Sequence, residues 1–269
     1  MSVAPKIVKI ALLGAAGRMG RAIIEASQDY PGVQIGAALV QSDSSLLGQV
    51  ADDKVRYSAD IEAALKVSDV LLDFATPAAT ASALDACLSA RKPLVIGVTG
   101  MDAALQQQIK TASHHIAILT AANMSLGVNL LLQLVRTASS ALDESFDIEI
   151  IEAHHQHKKD APSGTALALG DAVAAGRGVK LESHAVFDRT SKQAVRETGS
   201  IGFTSIRAGD IVGDHTVLLA GPGERLEFTH RAQSRTTFAR GALAAARWLN
   251  GKPAGLYGMA DVLGLPPKG

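Results

Sequence analysis

Near-continuous apolar runs alternate with longer, stripe-patterned segments through the first half of the chain. The run at residues 7–13 is rich in isoleucine, leucine and valine and stops at Gly14, and a segment of helical character follows at 18–28. Further apolar runs at 33–39, 70–74, 94–98 and 116–119 read as strands. Between them, 78–90 reads as a helix with Ala83, Leu84, Cys87 and Leu88 on one stripe. A strand buried on both faces loses the two-residue alternation, and such strands separated by helices specify a parallel sheet with helices on both sides. The first half is therefore expected to be a doubly wound, Rossmann-like α/β domain.

The rhythm changes near residue 125. A helix at 128–142 leads into a strand at 146–153, and strands at 201–206, 215–220 and 225–230 follow without helices between them. The last two are joined by the turn Gly221-Pro222-Gly223. Strands linked by tight turns specify a mixed or antiparallel sheet, hence a second domain of α+β type. A final helix at 238–249 is a candidate to return to the first domain, which makes the second an insertion.

Composition narrows the functions open to such a chain. Lys+Arg 26 balance Asp+Glu 26, so no global positive field exists to hold nucleic acid or an anionic membrane. Aromatic residues at 4% are too few for base-stacking platforms. A single cysteine excludes an internal disulfide and a multi-cysteine metal site. Lys9 interrupts the first apolar run, and no run approaches the ~18 residues of a spanning helix. The expectation is a cytoplasmic protein with neither nucleic-acid nor membrane partners.

Gly14-Ala15-Ala16-Gly17-Arg18-Met19-Gly20 lies between the first strand and the first helix. Glycines there permit a tight turn and let backbone amides approach a pyrophosphate at the helix start. The spacing G-x-x-G-x-x-G departs from the commoner G-x-G-x-x-G, and its place after a strand and before a helix is what gives it weight. An acid usually ends the second strand to hold the adenosine ribose, yet Val40 and Gln41 stand there, followed by Ser42 and Asp43. The residues alone leave NADH and NADPH both open as cofactors. The segments Gly97-Val98-Thr99-Gly100 and Ala121-Ala122-Asn123-Met124 follow two other strands, where ligands bind in open α/β sheets.

The string Glu152-Ala153-His154-His155-Gln156-His157-Lys158-Lys159-Asp160-Ala161-Pro162-Ser163-Gly164-Thr165-Ala166 crowds histidines and lysines at a strand's end. Period-two alternation puts Ile148, Ile150, Glu152 and His154 on one face, and Ile151, Ala153 and His155 on the other. Ser163 is a plausible cap of a following helix, whose first amides, at Gly164 and Thr165, suit a carboxylate. A proton donor such as His154 or Lys158 beside that helix start suggests reduction of a carboxylated substrate with proton delivery. His155 and His157 could pair on a metal, but the adjacent Lys158 and Lys159 disfavour a cation, and no metal is expected.

This string, with GAAGRMG, GVTG, AANMSLGVN and RAGDIVGDH, resembles the bacterial 4-hydroxy-tetrahydrodipicolinate reductase (dihydrodipicolinate reductase) family of the diaminopimelate–lysine pathway. The resemblance covers nearly the whole chain. It implies a cytoplasmic homotetramer that reduces a cyclic hydroxylated dicarboxylate, with loss of water, using NADH or NADPH. By position in the shared string, His154 matches the family's catalytic proton donor/acceptor and Lys158 its proton donor. His155, Ser163, Gly164 and Thr165 match substrate contacts. Gly14, Ala15, Ala16, Gly17, Arg18 and Met19 match cofactor-binding positions, as do Gly97, Val98 and Thr99 and then Ala121, Ala122, Asn123 and Met124. The resemblance also implies a dinucleotide-binding domain at 1–126 and 235–269, with a substrate-binding and tetramerisation domain at 127–234. Val40 and Gln41 stand where members carry an acid–arginine pair, and Thr76 where an arginine often stands.

Two other enzyme readings fail on residues. A short-chain dehydrogenase needs tyrosine with lysine four positions on, but Tyr30, Tyr57 and Tyr257 are followed there by Gln34, Ile61 and Asp261. A semialdehyde dehydrogenase needs a nucleophilic cysteine, and Cys87 sits on the apolar stripe of a helix. A nucleotide sensor without catalysis is the reading from another class, and it has no use for a proton donor.

Overall fold

The computed structural model describes residues 7–53, 55–190 and 195–265. The chain divides into two compact units, Met1–Leu126 with Arg235–Gly269, and Gly127–Ser234. Among the described residues no helix is long and apolar enough to cross a membrane.

The first unit opens with β1 (Val8–Leu13), α1 (Arg18–Gln28) and β2 (Val33–Leu39). A short pair, β3 (Val50–Asp52) and β4 (Val55–Ser58), precedes α2 (Ile61–Val67) and β5 (Val70–Asp73). Then come α3 (Pro77–Ala90), β6 (Leu94–Ile96), α4 (Ala103–Ala112) and β7 (Ala117–Thr120). All four residues of β5 and all three of β6 are buried, which is why these runs show no alternation. The helices start on side-chain caps: Asp60 accepts from the Ala63 amide, Thr76 from Ala79 and Asp102 from Leu105. α1 is the exception among these helices, because its cap is Gly17 and makes no side-chain bond.

The second unit contains α5 (Leu126–Ala141), β8 (Asp147–His154), α6 (Gly164–Arg177), β9 (Ala185–Val186), β10 (Ile201–Arg207), β11 (Gly213–Gly221) and β12 (Glu224–Ala232). Its sheet runs β12-β11-β8-β10-β9, antiparallel on the β11 side of β8 and parallel on the β10 side. The sheet is thus mixed, as the tight-turn spacing predicts. In β8 burial alternates strictly, with Ile148, Ile150, Glu152 and His154 inside. Ile148 and Ile150 join Val217, Leu219, Ile201 and Phe203 in a core completed by Leu131 and Val135 of α5 and Leu169 and Val173 of α6. The two polar members of that buried face, Glu152 and His154, lie at its far end.

The chain then re-enters the first unit with α7 (Thr236–Leu249), β13 (Gly255–Tyr257) and α8 (Met259–Val262). α7 buries Ala239, Ala242, Leu243, Ala245, Ala246 and Leu249 in the same core as Ile10, Leu12, Ile23 and Leu119. β13 adds a parallel edge strand beside β7, which completes the order β13-β7-β6-β5-β1-β2-β4-β3. The elements α2, β3, β4, α4, β9, β13 and α8 lie beyond those the hydrophobic pattern predicts.

Candidate active site

The second unit's polar cluster is built around Glu152, which is 1% exposed. Its Oε2 accepts from Arg207 Nη1 at 2.8 Å and lies 2.6 Å from His154 Nδ1. Its Oε1 accepts from Arg207 Nη2 at 2.7 Å and from the Ser163 amide at 3.2 Å. Period-two alternation along β8 brings Glu152 and His154 to one face, and parallel register sets Arg207 beside His154. Arg207 Nη2 also donates to the Asp160 carbonyl at 2.6 Å, tying the loop after β8 to the sheet.

Ser163 caps α6, its Oγ accepting from the Ala166 amide at 3.2 Å. That Oγ lies 3.0 Å from Nε2 of His215, a buried residue of β11 paired opposite Glu152. The His154 and His215 rings meet edge to face with centroids 5.1 Å apart. Lys158 Nζ forms an ion pair with Asp160 Oδ1 at 2.9 Å, and its charge is close enough to lower the proton affinity of His154.

The structure therefore gathers His154 and Ser163 around one carboxylate, with Lys158 paired to Asp160 in the loop between them and Gly164 and Thr165 in the first turn of α6. His155 falls outside the Glu152 cluster. It follows the strand's last residue, its Nδ1 is buried without a hydrogen-bond partner, and its ring lies 6.3 Å from that of His157. Among the described residues no group of three or more His, Cys, Asp or Glu side chains could hold a metal. Glu152, Arg207 and His215 belong to the cluster but were not among the candidate residues. The signal for Glu152 was its phase with His154. The other two sit in the RAGDIVGDH string, without a local pattern to mark them.

Burial would raise the Glu152 carboxyl, but bonds from Arg207, His154 and Ser205 outweigh it and hold it at about 2 against an ordinary 4.5. Burial lowers His154, and Glu152 partly restores it while Lys158 and Arg207 push it down again. Burial, with His154 nearby, pushes His215 from 6.5 down to about 4.

These shifts predict an acid-sensitive unit. The unfolded chain protonates His215 before the folded one does, so its contribution is complete above pH 6.5 and is lost as pH falls through about 4. Glu152 contributes fully above about pH 4.5, and that stability is lost as pH falls through about 2. Denaturant unfolding across this range should show both losses, and His215→Asn should abolish only the upper one. An identical pH profile in that variant contradicts the assignment.

The first unit gathers the glycine loop and two other predicted segments along one sheet edge. β1, β5, β6 and β7 are parallel neighbours, so the residues after each emerge together. Gly14 has φ of 80°, and a Cβ there would stand 2.7 Å from the Phe74 carbonyl oxygen. Gly97 packs on the Phe74 ring, where a Cβ would come within 2.5 Å, and its amide donates to the Asp73 carbonyl at 2.9 Å. The Ala121 amide donates to the Ile96 carbonyl at 3.1 Å, and Asn123 Oδ1 accepts from the Ser125 amide at 2.9 Å. Met124 and Val98 are buried beneath.

The Phe74–Ala75 backbone, which sequence reasoning passed over, thus lies against the Gly14 loop while the Phe74 ring carries Gly97. Asp73 fixes it, accepting from Thr80 Oγ1 at 2.6 Å and from the Ala75 amide at 2.9 Å. The helix start at Arg18, Met19 and Gly20 has no side-chain cap, so its amides suit a pyrophosphate. Cys87 is fully buried and its thiol is pushed up to about 12, so it is no nucleophile.

Two family models together span nearly the whole chain. "Dihydrodipicolinate reductase, N-terminus" matches residues 8–124 and "Dihydrodipicolinate reductase, C-terminus" matches residues 127–263. The 4-hydroxy-tetrahydrodipicolinate reductase of Thiobacillus denitrificans is 50% identical over 264 residues, covering 96% of this chain and 99% of the relative. The enzyme of that name from Laribacter hongkongensis is also 50% identical, over 96% of this chain and 98% of its own. In fold, the chain is similar to the dipicolinate-bound dihydrodipicolinate reductase from Paenisporosarcina sp. TG-14. The TM-score is 0.78 at 23% identity, with 95% of this chain and 98% of that one covered.

Proposed function

The chain belongs to the dihydrodipicolinate reductase family, a pyridine nucleotide-dependent oxidoreductase family, and on that premise we propose how its residues divide the reaction. The reaction is reduction of 4-hydroxy-tetrahydrodipicolinate to tetrahydrodipicolinate, with loss of water, in lysine biosynthesis through diaminopimelate. The observation that carries the residue-level reading is the cluster around Glu152, in which a buried histidine and a helix start meet, with Lys158 close enough for its charge to act on that histidine.

The uncapped α1 start and the Gly14 cradle fit a dinucleotide pyrophosphate, with residues 14–19, 97–99 and 121–124 as its binding positions. The reduced nicotinamide, when bound, supplies a hydride to the substrate ring. Lys158 and His154 handle the proton that the neighbouring ring carbon takes up. Amides of Gly164 and Thr165, with Ser163, hold a substrate carboxylate, the charge favoured at a helix start. His155, just beyond the strand end, is a further substrate contact. Residues 1–126 and 235–269 serve the dinucleotide, and 127–234 the substrate and a homotetramer. The tetramer and a cytoplasmic setting rest on the family, with exposed Ile206 on the sheet of the second unit compatible with burial by another copy.

Mixing the protein with the dicarboxylate and either reduced cofactor tests this reading. Both NADH and NADPH are expected to serve. Val40 and Gln41 offer neither an acid to repel a 2′-phosphate nor an arginine to attract it. One neutral hydrogen bond, from a group such as Ser42, is worth ~0.5–1.5 kcal/mol, so the two kcat/KM values should lie within about tenfold. No cofactor oxidation with either sinks the function. A preference beyond ~100-fold sinks only the account of the adenosine end.

A further inference from the structure

We propose that Glu152 is the positioning residue of this site, fixing His154 with its proton on Nδ1 so that the Nε2 lone pair faces the substrate and accepts a proton before it donates one. The inference rests on the reductase reading of the cluster but concerns a residue and a nitrogen which that reading leaves unassigned.

The two oxygens of Glu152 have different partners. As a carboxylate Glu152 is an acceptor only, and Oε2 lies 2.6 Å from His154 Nδ1, so that nitrogen must carry the hydrogen. A neutral imidazole has one N–H, which leaves Nε2 as an acceptor. The ring cannot reach the other tautomer without setting a lone pair against a carboxylate. Nε2 is also located sterically, because a Cβ built on Gly213 of β11 would come within 3.0 Å of it. Glycine at 213 is what lets the ring lie where Glu152 holds it.

The groups facing His154 come from several elements. Glu152 is on its own strand, Lys158 in the following loop, Arg207 on β10 and His215 on β11. Burial together with Lys158 and Arg207 disfavours a resting imidazolium, whereas the Glu152 charge favours one once formed. A proton passed to Nε2 from the Lys158 ammonium, which solvent then reprotonates, is therefore held by Glu152 through Nδ1–H, and its transfer to a ring carbon returns the same neutral tautomer. The carboxylate also accepts the Ser163 amide. One side chain thereby sets the distance between the proton-handling nitrogen and the helix start that takes a substrate carboxylate.

Glu152→Gln tests the charge and the tautomer together. With its oxygen at the Oε1 position, where Arg207 Nη2 and Ser163 N converge, the amide keeps two donors and loses only the Arg207 Nη1 bond, so the NH2 group falls opposite Nδ1. His154 is then forced to the Nε2–H form, which has no proton-accepting Nε2. By the usual contribution of acid–base groups, kcat should fall about 10²–10⁴-fold. The dicarboxylate KM should stay within a few-fold. Nitrogen-15 NMR of His154 in the free wild-type protein should show Nδ1–H, and in the variant Nε2–H.

The NMR readout on the wild-type protein requires neither turnover nor a folded variant. Wild-type His154 in the Nε2–H form overturns the proposal even if the enzyme is active. A folded Glu152→Gln variant with near-normal kcat, or with the Nδ1–H form retained, overturns it too. Failure of the wild type to oxidise the cofactor with the dicarboxylate, with His154 in the Nδ1–H form, would leave the positioning claim standing and sink the reductase reading instead.

Discussion

Lys158→Ala and His154→Gln should each lower kcat by about 10²–10⁴-fold, the range that positioned acid–base groups contribute, while cofactor affinity stays unchanged. The ring carbon beside the one that receives hydride has to gain a proton. Bulk water is a poor donor to carbon in a site where His154 is buried and Glu152 is 1% exposed. Lys158 carries donors only, and its ion pair with Asp160 aims the ammonium without neutralising it. The two variants should differ in their pH profiles. Removing the Lys158 charge relieves one influence that lowers His154, so the limb belonging to His154 should move to higher pH in Lys158→Ala. If the two groups act in series, the double variant should cost little more than the worse single one. Near-normal turnover in both single variants would remove these residues from the mechanism.

Gly20→Ala should weaken binding of either reduced cofactor by about 5- to 150-fold. Gly20 lies in the first turn of α1, and a Cβ there would be driven into the backbone carbonyls of Gly14 and Ala15, the latter at 2.5 Å. Neither neighbour is a flexible side chain, so the loop or the helix start has to shift. Overpacking of this kind costs ~1–3 kcal/mol, and distortion carried into the pyrophosphate cradle converts to that loss of affinity. Gly17→Ala is the sterically milder change in the same cradle, since its Cβ would meet only the Gly14 carbonyl oxygen, at 3.2 Å. Fluorescence titration should rank wild type, Gly17→Ala and Gly20→Ala in that order of affinity. The dicarboxylate KM at saturating cofactor should not follow. Equal cofactor affinity in all three would take the loop out of nucleotide binding.

What could be read from the sequence was what local physics determines. The buried parallel strands announced themselves because they are apolar on both faces, as β5 and β6 are. The cap at Ser163 was legible because serine before an apolar helix has a local reason to be there. β13 was not, since Gly255–Tyr257 is three residues long and extended only because Gly255 pairs with Ala117, far away in sequence. α4 escaped because Gln106, Gln107 and Lys110 blur its apolar stripe, so the cap that Asp102 makes in the structure had no helix to mark. β3 and β4 are short and mostly half-buried, with little pattern to show.

The same division runs through the site. His154 and Lys158 stood out by composition, and period two set Glu152 in phase with His154. Its partnership with Arg207, 55 residues on, is a product of parallel pairing between β8 and β10. His215 meets Ser163 across 52 residues through the antiparallel β11. Phe74 supports Gly14 and Gly97 because β5 lies between β1 and β6 in the sheet, an order that no local pattern encodes.

Transfer of label from the cofactor to the dicarboxylate tests the central claim most directly. The reduced nicotinamide would carry deuterium at its transferring position, the solvent would be ordinary water, and the product would be examined by mass spectrometry. The account predicts one deuterium in each tetrahydrodipicolinate formed, with one cofactor oxidised per molecule. Cofactor oxidised without deuterium in that product, or no oxidation although both ligands bind, would contradict it.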